Sequence, residues 1–248
     1  YGDHRDLHLS LRRQRQMCIR DRYKIELPST GEQLNMRPYL VKEEKVLMIA
    51  LESNDAVQIS EAVRNIIMSC YNIDSLDKLT VFDIEYLFLM LRSKSVGEKM
   101  NLQIKCNEEG CGKLTPITID VADVEIINKD QERNILLDEK SGIGVVMNYP
   151  SMEMIANLNV EKLASSEGMM DIIIESIDSI YDDDNVYDTA TESKEELNSF
   201  IENLSGEQYK KIVDFFREVP AVYYKNDYDC DSGKKQEIEL RGLNSFFT

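Results

Sequence analysis

Helical spacing of apolar residues covers much of the first half of the chain. Over residues 39–53, 55–71 and 80–95, apolar residues recur at intervals of three and four, which predicts three helices. The third is apolar on most sides, so we expect it at the centre of the core. In the first, the apolar residues gather toward one side and predict a stripe that faces the core: Leu40, Val41, Val46, Leu47, Ile49, Ala50 and Leu51.

A period of two replaces the helical spacing at several places. Residues 23–37 predict a hairpin around a turn that contains Pro28 and Gly31. Residues 100–121 and 222–240 predict two more hairpins, because alternating apolar residues flank a turn that contains glycine. Residues 143–150 predict a further strand, and the acidic residues 182–188 predict a loop.

The second half of the chain is otherwise predicted to be helical, over residues 151–158, 165–181, 193–204 and 205–219. Two of these helices begin with the spacing of a capping box, in which a serine and a Glu or Gln three residues later satisfy each other's backbone N–H groups. The pairs are Ser193 with Glu196 and Ser205 with Gln208.

These elements predict an α+β protein that is predominantly helical, with two or three β-hairpins. Residues 112–119 and 233–240 both have Gly-Lys, three residues, Ile, one residue, then Ile or Leu. This short match is compatible with two related halves, each helical and then ending in a hairpin. We therefore divide the chain into an N-terminal helical region with a hairpin (23–150) and a C-terminal helical region with a hairpin (151–248).

Residues 1–22 differ in composition from the rest of the chain. They contain six arginines, three acidic residues and both histidines, and they have no apolar segment of the secretory type. The string LSLRRQRQMCIRDR resembles translated sequencing-adaptor sequence. We interpret this segment as non-native and exclude it from the fold prediction.

Charge and residue usage narrow the classes of function. The net charge is −17, which repels phosphate backbones, so we expect no nucleic-acid partner. No apolar run is long enough to predict a membrane span. From residue 23 onward there is no histidine, which excludes Ser-His-Asp and Cys-His catalysis and the zinc sites that depend on histidine. We therefore expect no catalytic residues and no enzyme activity.

Four cysteines remain outside the first segment, and we expect them to be reduced thiols. Cys106, Cys111 and Cys230 lie in the turns of the two later hairpins and are the candidate ligands for a metal. Zinc needs four ligands, however, and the second hairpin supplies only one cysteine unless Cys70 lies nearby. We therefore expect no cofactor and no cofactor-binding residues, with zinc as the alternative.

Large apolar residues continue to the end of the chain. Leu243, Phe246 and Phe247 follow the last predicted strand, and aromatic residues this close to a terminus need something to pack against. Two interpretations stay open. These residues dock on the protein's own core, or they anchor a partner.

Three long strings resemble a known family. KIELPSTGEQLNMRPYLVKEEKVLMIALES resembles the opening of the baseplate hub proteins of T-even-type contractile-tailed bacteriophages, and FDIEYLFLMLRSKSVGE resembles their central helix. YKKIVDFFREVP followed by IELRGLNSFF resembles their C-terminal end. The resemblance runs in order from about residue 23 to residue 248.

The resemblance implies a role in the baseplate hub of the phage tail, through contacts with other hub proteins. It also implies that assembly takes place in the host cell cytoplasm. Two roles are then possible: an assembly factor or chaperone that leaves the hub before the tail matures, or a structural subunit that stays in the virion tail baseplate. Two alternatives from other classes stay open. One is a peptidoglycan-cleaving tail enzyme, which requires two acids that converge in a cleft; the other is a zinc-stabilised adaptor module.

Overall fold

The structure is a computed structural model that describes residues 22–53, 55–106, 111–157, 165–230 and 233–246. The predicted non-native segment lies outside the described residues except for Arg22. Two compact units are present, and each is discontinuous in sequence. Of the described residues, the first unit contains those of 22–76, 82–126 and 222–246, and the second contains those of 77–81 and 127–221.

The helices and strands of the described residues are as follows in chain order: β1 Tyr23–Glu26, β2 Gln33–Met36, α1 Val41–Ser53, α2 Ala56–Tyr71, α3 Val81–Ser95, β3 Lys99–Lys105, β4 Leu114–Asp120, β5 Glu125–Ile127, β6 Asn134–Asp138, β7 Ile143–Met147, α4 Met152–Asn157, α5 Ser166–Ser176, β8 Ile177–Tyr181, β9 Val186–Asp188, α6 Lys194–Glu202, α7 Gly206–Arg217, β10 Ala221–Asp229 and β11 Lys235–Arg241.

The predicted balance between helix and sheet was wrong. Over the residues that the structure describes, the protein is a mixed α+β protein, 40% helical and 30% strand, rather than a predominantly helical one with a few hairpins. The described strands form four antiparallel sheets, in the orders β1-β2, β3-β4, β11-β10-β5 and β6-β7-β8-β9. The suggested two halves are not separate either, because the β3-β4 and β10-β11 hairpins both belong to the first unit.

The core of the first unit forms where those two hairpins pack together with α3. Alternation along each strand turns one face of each hairpin inward, and the opposed pairs include Met100 with Ile119 and Tyr224 with Leu240. Each fully buried aliphatic side chain contributes about 1.5–3 kcal/mol to folding. The buried cluster consists of Leu89, Met100, Leu102, Ile119, Val121, Val222, Tyr224, Ile238, Leu240 and Phe246.

The expectation for the third helix is confirmed. Helix α3 is apolar around most of its circumference and buries eight of its residues, among them Leu87 and Phe88, which have no exposed surface. It also buries Asp83, whose carboxylate accepts hydrogen bonds from the backbone N–H and the hydroxyl of Ser29, in the turn between β1 and β2. A buried carboxylate needs such partners, so Asp83 ties the first hairpin to α3.

The predicted apolar stripe of α1 was wrong. The buried positions of this helix are Glu43, Leu47 and Ala50, which recur at the spacing of one helical face. Glu43 is tolerated there because Arg37 forms a 2.8 Å ion pair with it and Leu40 donates a backbone N–H to its carboxylate. The apolar residues therefore lie on two sides of the helix, some buried and some exposed. The hydrophobic pattern missed this because it counts only apolar residues, whereas the buried side of α1 includes the charged residue Glu43.

In the second unit, one predicted helix is instead a helix followed by a strand. Helix α5 ends at Ser176, and Ile177–Tyr181 continues as β8, which pairs with β7 on one side and β9 on the other. The isoleucines of this segment fit the spacing of a helix and that of a strand equally well. Pairing with β7, a strand that the sequence predicted and the structure confirms, therefore decided the conformation. The acidic segment 182–188 is likewise not all loop, because Val186–Asp188 forms β9.

Both predicted capping boxes are confirmed in the second unit. The side chains of Ser193 and Glu196 satisfy each other's backbone N–H groups at the start of α6, and those of Ser205 and Gln208 do the same for α7. The two helices pack with α5 against the four-stranded sheet, and the buried cluster consists of Leu137, Val145, Met147, Ile173, Ile174, Ile177, Leu197, Ile201, Ile212 and Phe215.

Candidate functional site

Two cysteines occupy matching places in the two hairpins of the first unit. Cys106 directly follows β3, and Cys230 directly follows β10. Each donates its backbone N–H to the carbonyl of the lysine just before the return strand, Lys113 in one hairpin and Lys234 in the other, at 2.9 Å in both. The shared Gly-Lys pattern therefore marks the same closing hydrogen bond at the base of both turns, although the segment from Cys106 to Lys113 is longer than the segment from Cys230 to Lys234.

The glycines of that pattern have a conformational reason. Gly112 and Gly233 have φ of +54° and +80°, in the left-handed region where a Cβ atom is unfavourable. The left-handed backbone at these glycines lets the chain turn back toward its starting strand in each hairpin.

The three cysteines form a thiol cluster, by which we mean Cys106, Cys111 and Cys230. Their sulfur atoms all lie within 4.8 Å of one another, and the Cys111 and Cys230 sulfurs are 3.7 Å apart. Cys106 and Cys230 are buried and Cys111 is half-buried. The hydroxyl of Thr115, itself buried, lies 3.8 Å from the Cys230 sulfur. The sequence singled out all three cysteines, but it gave no indication of Thr115.

The thiol cluster also affects a neighbouring phenol. Burial raises the pKa of Tyr228, and the adjacent Cys106, Cys230 and Cys111 raise it further, since an anionic phenolate is disfavoured beside thiol groups that can themselves become negative. Tyr228 packs against the core of the first unit from its edge.

The fourth cysteine, Cys70, is not part of the cluster. It lies near the C-terminal end of α2, where it is buried beside Arg37. Burial raises its pKa to about 11, so it remains a protonated thiol at neutral pH. The sequence left open whether Cys70 could supply a fourth ligand, and among the described residues the cluster contains three cysteines only.

Three thiols in this arrangement can bind a soft metal ion, because thiolate is a preferred ligand of zinc.

Two of the three predicted partner-binding residues, Leu243 and Phe246, lie in a short 3-10 turn at the C-terminal end of the described residues. The Phe246 side chain is 4% exposed and belongs to the buried cluster of the first unit. Leu243 is half-buried and donates its backbone N–H to the Glu85 carboxylate at 3.0 Å. Phe247 lies outside the described residues. A partner-binding role for these three residues stays a prediction.

Glu85 is the described carboxyl group with a raised pKa, and its surroundings bear on the enzyme alternative. Burial raises its pKa, whereas backbone hydrogen bonds from Leu243 and Val222 and the charge of Arg241 act in the opposite direction. Its carboxylate therefore accepts hydrogen bonds from the C-terminal segment. The raised pKa of Glu85 is thus explained by its burial beside the C-terminal segment.

The sequence missed an exposed apolar surface on α1. We define the exposed face of α1 as Val41, Val46, Met48 and Ile49, which are 80%, 51%, 56% and 56% exposed. The exposed charged residues Lys42, Lys45 and Glu52 lie on the same side of the helix. The sequence contained an indication that this side is exposed, because Lys42 and Lys45 stand among the apolar residues that the pattern assigned to the core.

The acidic turn between β8 and β9 has a local structural explanation. One carboxylate oxygen of Asp182 accepts the backbone N–H groups of Asp184 and Asn185, at 2.9 and 2.8 Å. Those bonds lower the pKa of Asp182, so it stays ionised and stabilises the turn. The segment also contains no glycine, which a calcium-binding EF-hand loop requires.

A family model described as T4 bacteriophage base plate protein matches residues 21–248. This chain belongs to the T4 base plate protein family. The family resemblance predicted from the sequence is thereby confirmed at the level of the baseplate, and it makes other phage baseplate proteins the partners of this base plate protein. No curated protein and no solved structure gives a match. Within the described residues of this base plate protein, no helix is both long and apolar enough to cross a membrane.

Proposed function

We propose that this base plate protein acts in assembly of the central hub of the phage baseplate, through contacts with other hub proteins in the host cell cytoplasm. Its family supports a role in the baseplate. The observation that carries the finer proposal is the exposed face of α1, which leaves four large aliphatic side chains accessible on one helix of a strongly acidic protein.

Exposed apolar side chains that are scattered singly need no explanation, but a group on one helix face is typical of a protein contact surface. Lys42, Lys45 and Glu52 are charged and exposed on this side of the helix, and Lys42 also lies 3.6 Å from Glu43. A partner surface that is apolar with a polar rim complements it. The occupant we propose is a different hub protein, because a second copy of this acidic chain would add like charge around the contact.

Several observations support a role without catalysis. The raised pKa of Glu85 is accompanied by structural hydrogen bonds to the backbone, and histidine is absent beyond the first segment. A contact protein requires complementary surfaces rather than a reactive group.

The test is co-purification of hub proteins with the tagged protein from infected cells. We expect the double variant Met48→Glu/Ile49→Glu to lose the hub proteins that the unmodified protein retains, because charge would enter the centre of the apolar contact. Both positions are exposed, so the free energy of unfolding should change by no more than about 0.5 kcal/mol.

The control is Val186→Glu, which places a single negative charge, half that of the double variant, on an exposed apolar residue of β9, in the second unit. It should retain the hub proteins. If both variants retain them, the exposed face of α1 is not the contact. Mass spectrometry of mature tails then separates the two forms of the proposal, since a structural subunit is present in the tail and an assembly factor is absent.

A further inference from the structure

We propose that the thiol cluster of Cys106, Cys111 and Cys230 binds a zinc ion that joins the two hairpins of the first unit. The sequence analysis favoured the absence of a cofactor, with zinc as the alternative. It did so because zinc needs four ligands, histidine is absent after residue 22, and the second hairpin supplies only one cysteine. The structure brings their sulfur atoms to within 4.8 Å of one another.

The geometry of the cluster fits thiolate ligands around one ion. Zinc binds thiolate sulfur at about 2.3 Å in tetrahedral geometry, which separates two ligand sulfurs by about 3.8 Å. The Cys111 and Cys230 sulfurs are 3.7 Å apart. The largest separation in the cluster is below 4.8 Å, so a shift of about 1 Å completes the arrangement.

The protein backbone holds the ligands in place before any ion binds. Cys106 and Cys230 are each fixed by a 2.9 Å backbone hydrogen bond across the base of their own turn. Both are buried, which shields the ligands from water, while Cys111 is half-buried.

The binding step is an exchange of protons for metal. Each ligating thiol releases one proton and donates a sulfur lone pair to zinc, and no electron is transferred. Three thiolates leave the fourth position of tetrahedral zinc to a water molecule or to a ligand outside the cluster.

The ion would act as a crosslink over a long stretch of chain. Cys111 and Cys230 are 119 residues apart, and most of the second unit, residues 127–221, lies in the segment between them. Closing so long a loop removes conformational entropy from the unfolded chain, so bound zinc should stabilise the first unit.

The test is the zinc content and thermal stability of the full chain, purified under reducing conditions from cells grown with zinc. We expect about one zinc ion per chain and a lower Tm after chelation. Cys111→Ser should lose the zinc. Cys70→Ser is the matched control, since Cys70 is also a thiol of the first unit but lies outside the cluster, and it should retain the full content.

Cobalt(II) provides a second measurement on the unmodified protein, which does not depend on how a variant folds. Tetrahedral thiolate coordination gives sulfur-to-cobalt charge-transfer absorption, and zinc should abolish it by displacing the cobalt. The proposal is overturned if the reduced protein takes up neither metal, or if Cys111→Ser binds zinc as the unmodified protein does. A disulfide between Cys111 and Cys230 in place of bound metal would also contradict it.

Discussion

Helix α1 and the C-terminal segment, residues 240–246, both carry large apolar side chains in the first unit, but they use them differently. The C-terminal segment buries Leu240 and Phe246 in the core that the two hairpins share. Helix α1 buries only Leu47 and Ala50 of its aliphatic residues and exposes others. The comparison teaches that the number of apolar residues in a segment does not tell which of them stabilise the fold and which are left for a partner.

Each of the two regions also involves one glutamate side chain, Glu43 within α1 and Glu85 in contact with the C-terminal segment. The pKa values of these two glutamates are shifted in opposite directions. Burial acts to raise the pKa of Glu43, but the hydrogen bond from Arg37, the Leu40 N–H and nearby positive charge outweigh it, so the pKa is lowered. At Glu85 burial outweighs the hydrogen bonds from Leu243 and Val222, so the pKa is raised. The difference is that Glu43 has a paired cation at 2.8 Å.

The largest effect is expected at Phe246. Phe246→Ala should lower the free energy of unfolding by about 3–5 kcal/mol, because it removes a buried aromatic side chain from the hairpin core. Val41→Ala on the exposed face of α1 should change it by less than about 0.5 kcal/mol. Urea unfolding of the two variants measures both. Equal effects would remove the distinction between the two regions.

A smaller effect is expected for Arg37→Ala, which leaves the buried Glu43 carboxylate without its cation. We expect a loss of about 1–3 kcal/mol at neutral pH. Because the folded-state pKa of Glu43 lies below its unfolded value of about 4.3, the stabilisation is present above that value and disappears as pH falls through the folded-state pKa. Unfolding experiments from pH 7 to pH 3 should show the variant and the unmodified protein converging. A constant difference across this range would show that the ion pair is not its source.

The smallest effect is expected for Glu85→Gln, which keeps an oxygen acceptor for the C-terminal segment and removes the charge. The folded-state pKa of Glu85 is raised, so in the unmodified protein stability increases as pH falls through that pKa toward the unfolded value of about 4.3. The variant should lack this dependence and should be as stable as the unmodified protein at neutral pH, or more stable by about 1 kcal/mol. The same unfolding series checks the sign, and a variant that is less stable at pH 7 would contradict it.

Much of the local structure followed from the sequence because its signals are local. The hairpin of residues 23–37, the central helix α3 and the two capping boxes depend on turn residues, apolar period and the reach of a side chain within one helical turn. Residues 165–181 failed as a helix because isoleucine suits either period, and a neighbouring strand was needed to decide between them.

The sequence by itself determined the family, the absence of histidine chemistry after residue 22, and the three cysteines that are candidates for a metal. Only the tertiary structure decided that hairpins more than a hundred residues apart share one core and bring those cysteines together. It also decided which side of α1 is buried, since the ion pair between Arg37 and Glu43 makes a charged residue compatible with the buried face. The physical reason is the same in both cases. Periodicity reports contacts within one element, whereas burial and metal geometry depend on residues that are distant in the chain and that only folding brings into contact.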